Sequence, residues 1–354
     1  MSTTTEVDKP EDSTKGVGKC AVTCPMCGLE HTQYRLNPRM FWHTELDMDR
    51  KPSKYQCLKA IDGYYPPLYE LWHCSRCHFT SHNRTFPAPL KHVFIEKTVV
   101  QRHLAEAARG DSAFARVCKA LGAGVGVDNL DFPQAVRLAL LAVYFEGVLI
   151  GLLRQGKASL ARSYLRLAWL LRDWKSMSSD FEKEFAAFSE LLGKVAADWP
   201  EICKTEEDAL QHACTQYVDS LSEASVAGDL RETTAILQHL GRICIQIGDA
   251  GSAKEHFARC VQVSFDEQNR LVRLLREDEH TRCLSEDDRS RMVTDSRRYK
   301  ATVDDCQDLL DVLKKSAVPN RSRPAPVPVP VPAPASAPAP AEKKKGLLRG
   351  LFGS

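Results

Sequence analysis

Two pairs of cysteines constrain this chain more than any other feature. "TCPMCGLEH" (residues 23–31) and "WHCSRCHFTSH" (residues 72–82) each place two thiols three positions apart. A C-x2-C turn brings two sulfurs to one side of a tight loop, and two such turns close a tetrahedral shell around one ion. Cys24, Cys27, Cys74 and Cys77 are therefore the expected ligands of one metal per chain. Zinc suits four soft thiolates, though iron accepts the same shell. Four protein ligands leave no coordination position open, so the expected ion is structural. Pro25 stiffens the first turn, and Gly28 supplies the positive φ such a turn favours. The second turn carries His78 at the corresponding position. Cys20, Cys57, His31, His73, His78 and His82 stand close enough in sequence to serve as substitute ligands. A thiol–disulfide role is the competing reading of "CPMC", but redox chemistry needs only one such pair.

The other nine of the thirteen cysteines are scattered singly, mostly in helical patterns, where a free thiol acts as a small apolar side chain. That usage belongs to a reducing compartment. The polar start "MSTTTEVDKPEDSTKG" lacks the apolar core of a secretory signal. The most apolar run, "LALLAVYFEGVLIGLL" (138–153), is interrupted by Glu146 and short for a bilayer, which suits a buried helix. A cytoplasmic location follows as the expectation.

Composition divides the chain into five segments. Residues 1–17 read as disordered, and 18–88 as a zinc ribbon with aromatics and short strand-like runs. Residues 89–317 carry helical periodicity, with only Pro133 and Pro200 among residues 90–315. Residues 318–341 form a Pro/Ala-rich linker of polyproline II character. The expected fold class is α+β, mostly α, with separate cores for the ribbon and the helices. Within the helices, residues 149–171 and 240–263 align without gaps. Gly156 matches Gly248, Ala161 matches Ala253, Leu165 matches Phe257 and Ala168 matches Cys260. This spacing resembles the tetratricopeptide repeat, and a generic helical-hairpin bundle is the alternative. Stacked hairpins of either kind offer a surface for peptides. Ser285, followed by three acids, is the expected N-cap of the last long helix.

The final segment, 342–354, is basic and apolar. Leu347, Leu348, Leu351 and Phe352 fall on one helical face, and Lys343, Lys344, Lys345 and Arg349 supply charge. Carried on a long spacer, it reads as a docking peptide for a protein partner, with a membrane surface as a further target. Nucleic acid is a third candidate partner, because Arg35, Arg39, Phe41, Trp42, Arg50, Lys51, Lys54, Tyr55, Tyr64 and Tyr65 mix basic and aromatic groups. Against it, residues 18–103 hold 12 Lys/Arg and 7 Asp/Glu, a modest net of +5, and Glu45, Asp47 and Asp49 interrupt the set. No catalytic constellation, phosphate loop or small-molecule substrate is evident, so the chain is not expected to be an enzyme.

The "CPMCG" turn, the acidic stretch with Asp47 and Asp49, and "YYPPLYELWHCSRCHF" together resemble the bacterial domain-of-unknown-function family 2225. Ser75 and His78 replace the proline and glycine usual there. The resemblance implies metal binding and helices downstream, and no established activity. The resulting expectation is a cytosolic zinc-binding adaptor that uses a helical groove and a docking peptide. A zinc-ribbon nucleic-acid regulator is the alternative and a thiol redox enzyme the lesser one.

Overall fold

Short runs rich in β-branched and aromatic residues, bounded by turn residues, form three antiparallel hairpins at the N-terminal end of the computed structural model. The structure describes residues 16–58, 64–86, 97–127, 129–154 and 156–316. Residues 1–15, the linker 318–341 and the docking peptide 342–354 lie outside the described residues. Strand β1 (Val17–Thr23) pairs with β2 (Glu30–Leu36), so that Thr23 faces Glu30 at the closed end. Strand β3 (Phe41–Leu46) pairs with β4 (Pro52–Cys57), and β5 (Leu71–His73) with β6 (Thr80–His82) after a 3-10 turn at Pro66–Tyr69. Trp72 Nε1 donates to Tyr34 O at 2.9 Å and Gln33 Nε2 to His73 O at 2.6 Å, which ties β5 to β2.

Helices follow: α1 (Lys97–Ala107), α2 (Ala113–Gly122), α3 (Phe132–Leu153), α4 (Lys157–Met177) and α5 (Phe181–Val195). After them come α6 (Glu206–Ser220), the short α7 (Ala224–Ala227), α8 (Leu230–Gln246), α9 (Ala250–Thr281) and α10 (Glu286–Ser316). The described residues are thus α+β and mostly α. Local chemistry marks the helix starts. Asp131 accepts from Gln134 N at 2.8 Å and Pro133 sits in the first turn of α3. Ser285 accepts from Asp288 N at 3.1 Å, as the sequence suggests for α10.

The two aligned stretches become the hairpins α3–α4 and α8–α9. Each turns on a glycine with positive φ, Gly156 at 99° and Gly248 at 85°. Ala161, Leu165 and Ala168 on α4 and Ala253, Phe257 and Cys260 on α9 are all buried, so the matched positions do the same packing work. Gly241 opens the notch on α8 that admits Phe257; a Cβ there would collide with the ring.

Helix α3 is the hub. It is 22 residues long and apolar enough by composition to cross a membrane, and within the fold it buries Val136, Leu138, Leu141 and Phe145. Phe79, just before β6, meets Phe145 edge-on with ring centroids 5.3 Å apart, and Phe86 packs on Phe79 and Trp72. One apolar cluster runs from Cys24, Trp72 and Phe86 through α1–α6 to α8. The expectation of separate cores is corrected by this packing: the β5–β6 hairpin covers α3, and hairpin and helix residues share one apolar cluster. The described residues up to Lys315 form a single compact unit.

Candidate metal centre

The first cysteine turn lies between β1 and β2, and the second between β5 and β6. They have the same backbone. Cys24 N donates to Leu29 O and Gly28 N to Cys24 O, both at 2.9 Å. In the second turn Cys74 N donates to Phe79 O at 2.9 Å and His78 N to Cys74 O at 2.8 Å. Both turns close with a left-handed residue, Gly28 at φ 71° and His78 at φ 59°. The replacement of the usual glycine by His78 therefore leaves the turn intact. Left-handed geometry costs a residue with a Cβ roughly 1 kcal/mol, and packing offsets that cost. The His78 ring stacks on His73 with centroids 5.5 Å apart, and it fills a notch at Gly122, where any Cβ would collide with the imidazole.

Matched turns put the four sulfurs together. Cys24 Sγ lies 3.6 Å from Cys77 Sγ, and Cys27 Sγ lies 3.5 Å from Cys74 Sγ. All four Sγ atoms fall within 4.8 Å of one another. A disulfide would hold its sulfurs at about 2.05 Å, whereas four sulfurs about 2.3 Å from one zinc have edges of about 3.8 Å. The observed spacing matches the second arrangement. Backbone amides converge as well: Met26 and Cys27 donate to the Cys24 sulfur, and Arg76 and Cys77 to the Cys74 sulfur. Hydrogen bonds from Cys24 and Cys77 push the Cys74 thiol far below the usual range. Hydrogen bonding to Cys74 and to Cys24, respectively, raises Cys24 and Cys77 instead. Four thiols in one shell cannot all ionise against each other, and a divalent cation removes that conflict. Cys24 and Cys74 are buried, Cys27 and Cys77 half-buried, so the set fits a metal ion held inside the protein.

The substitute ligands stay outside this cluster among the described residues. His73 Nδ1 is 2.8 Å from Thr80 Oγ1, and His31 Nδ1 is 3.1 Å from Leu29 O. They frame the turns. Gln101 on α1 anchors the first turn by donating to Pro25 O.

The acidic stretch before β4 has a role that sequence alone does not show. Residues Asp47–Lys51 form the tip of the β3–β4 hairpin, closed by Asp47 N to Lys51 O at 2.8 Å. Asp49 is fully buried; it accepts from Trp169 Nε1 at 2.9 Å and from Arg172 Nη2 at 2.8 Å, both on α4. Arg172 also reaches Asp47 at 3.2 Å and Glu206 on α6 at 2.8 Å. Buried Lys51 pairs with Asp173 at 2.6 Å, and Tyr65 Oη donates to the same carboxylate at 2.8 Å. Further along, Arg242 on α8 donates to Met48 O at 3.0 Å and to Asp305 on α10 at 2.7 Å. The tip thus occupies polar faces of α4 and α8, whose Arg172 and Arg242 in turn hold Glu206 on α6 and Asp305 on α10. The chain's own hairpin engages part of the helical surface. The only sequence signal for this clamp is the charged pair Arg172–Asp173 inside the apolar run "YLRLAWLLRDW".

Contacts within the protein engage half of the basic–aromatic set. Lys51 and Tyr65 serve the clamp, Arg50 donates to Gln238 at 3.4 Å, and Lys54 pairs with Glu45. Tyr55 packs edge-on against Tyr65. Arg35, Arg39 and Trp42 remain exposed. The tail residues named above lie outside the described residues.

Comparison with known proteins gives one family. The family model described as an uncharacterized protein conserved in bacteria (DUF2225) matches residues 18–281. No curated protein and no solved structure matches the chain.

Proposed function

The chain belongs to this uncharacterised bacterial family, whose model runs from β1 to the end of α9, and on that premise we propose that it is a metal-stapled adaptor rather than an enzyme. The observation that carries the reading is the closed four-sulfur shell, set into the same core as the helices. Such a shell leaves no position for water or substrate, so a bound ion stiffens the body and does no chemistry. We assign zinc, one ion per chain, because a d10 ion without geometric preference suits four thiolates in a reducing cytoplasm.

The partner-capturing element in this reading is the basic, apolar peptide 342–354 on its proline-rich spacer. The helix faces held by the β3–β4 tip do not serve as an open groove. The test is capture by the full-length, zinc-loaded chain from native cells, compared with Leu348→Asp/Phe352→Asp. A discrete protein retained by the wild type, lost with the double variant, and reconstituted from purified components supports the adaptor. Capture by anionic vesicles alone, abolished by replacing Lys343–Lys345 with Gln, would turn the tail into a membrane contact. Equal capture by wild type and variant in both settings would remove the tail from the function.

A further inference from the structure

A cavity of about 690 Å³ opens where the two cysteine turns meet α1 and α2. Its size falls within the roughly 300–1,000 Å³ of ordinary small-molecule sites. The floor is apolar: Met26, Leu104, Phe114, Cys118 and Phe145, widened by the short side chains of Ala105, Ala108, Ala115 and Ala123. Leu104, Phe114, Cys118 and Phe145 are buried in the protein core, so these walls are fixed by packing. Three cations stand around the same cavity, Arg76 from the second turn, Arg109 after α1 and Lys119 on α2, all exposed. No aspartate or glutamate lines it, but Cys27, Cys77 and His78 do, and with zinc bound the four-thiolate shell brings a formal charge of −2 to that wall. The acids nearest Arg109 in sequence are engaged elsewhere, Glu106 with Arg102 at 2.9 Å and Asp111 with Arg116 at 3.5 Å. Among the described residues, the side chains of Arg76, Arg109 and Lys119 make no ion pair.

An apolar pocket at which three unpaired cations outnumber the two negative charges of the thiolate shell is complementary to one class of small molecule. We infer that this cavity binds an amphipathic anion, an alkyl chain ending in a carboxylate or a phosphate. The chain lies over Phe114, Phe145 and Leu104, and the anionic end meets Arg76, Arg109 and Lys119. Burial of methylene groups supplies affinity, and the cations select the charged end. The alanines matter because each leaves room that a larger side chain would fill.

Calorimetry on the full-length, zinc-loaded chain tests this, with dodecanoate, dodecyl phosphate and dodecanol as probes below their aggregation concentrations. One saturable site is expected for an anion, with dodecanol at least tenfold weaker. The tighter of the two anions identifies the headgroup. Arg109→Ala with Lys119→Ala should weaken the anion at least tenfold and leave dodecanol unchanged. Ala115→Trp should abolish binding by filling the cavity, and Ala108→Trp serves if that variant loses its metal or its helical circular dichroism. A methyl resonance of Met26 should shift with the anion. Absence of saturable binding, equal affinity for dodecanol, or binding indifferent to both the charge and the filling variants would overturn the inference.

Discussion

Two of the contacts between the N-terminal hairpins and the helices use opposite chemistry. At β5–β6 the joint is apolar: Phe79 meets Phe145 on α3, Phe86 packs on Phe79 and Trp72, and the four sulfurs of the cysteine turns converge beside them. At the β3–β4 tip the joint is charged: Asp49 and Lys51 are buried against Arg172, Trp169 and Asp173. The apolar joint supplies stability through burial and lies beside the cysteine turns. The charged joint adds little net stability, because desolvating its ions offsets their attraction. Its cost appears when one partner is removed and the other charge stays buried. The clamp therefore sets which part of the hairpin meets which helix, while the cysteine side belongs to the main apolar core.

Breaking the apolar joint should have the largest effect. Cys74→Ser should release the metal and destabilise hairpins and helices together by more than about 3 kcal/mol, since bound structural zinc contributes its binding energy to folding. In urea, helical circular dichroism and tryptophan fluorescence should move to lower midpoints in step. An unchanged helical midpoint would mean that two cores exist after all.

Breaking the charged joint should come second and leave metal content alone. Asp49→Ala removes the buried acceptor of Trp169 Nε1 and one of the three carboxylates on Arg172, which Asp47 and Glu206 still hold, and should cost about 2–3 kcal/mol. Elemental analysis should still return the wild-type metal stoichiometry, and a loss of metal would show that the joints are not independent.

A finer contrast lies within the metal side, between its two turns. Gly122→Ala drives a Cβ into His78 and should cost about 1–3 kcal/mol. His78→Gly in that background should recover much of the loss, because it removes both the collision and the left-handed strain. The double-mutant cycle should give a coupling of about 1 kcal/mol or more. The first turn has no such neighbour, since a Cβ on Gly28 meets nothing within 4 Å. Gly28→Ala should therefore cost only its backbone strain, about 1 kcal/mol, the smallest effect of the four.

What could be read in the sequence was local. Two thiols three positions apart specify a turn, so Cys24, Cys27, Cys74 and Cys77 were legible without a structure. Gly156 and Gly248, followed by small residues at fixed spacing, specify hairpins for the same reason. What could not be read depends on residues far apart in the chain. Asp49 looks like a solvated acid until Arg172 is placed beside it, 123 positions away. His78 looks like a defect in a glycine turn until Gly122 is seen to make room for it. Phe79 and Phe86 look like the interior of a small ribbon, and only the position of α3 shows that they belong to a larger core.

X-ray absorption at the metal edge of the purified full-length protein tests the central claim most directly. The account predicts one zinc per chain with four sulfur scatterers at about 2.3 Å and no nitrogen or oxygen in the shell. A shell with an oxygen or nitrogen ligand, or protein that binds no metal when folded under reducing conditions with zinc present, would contradict it.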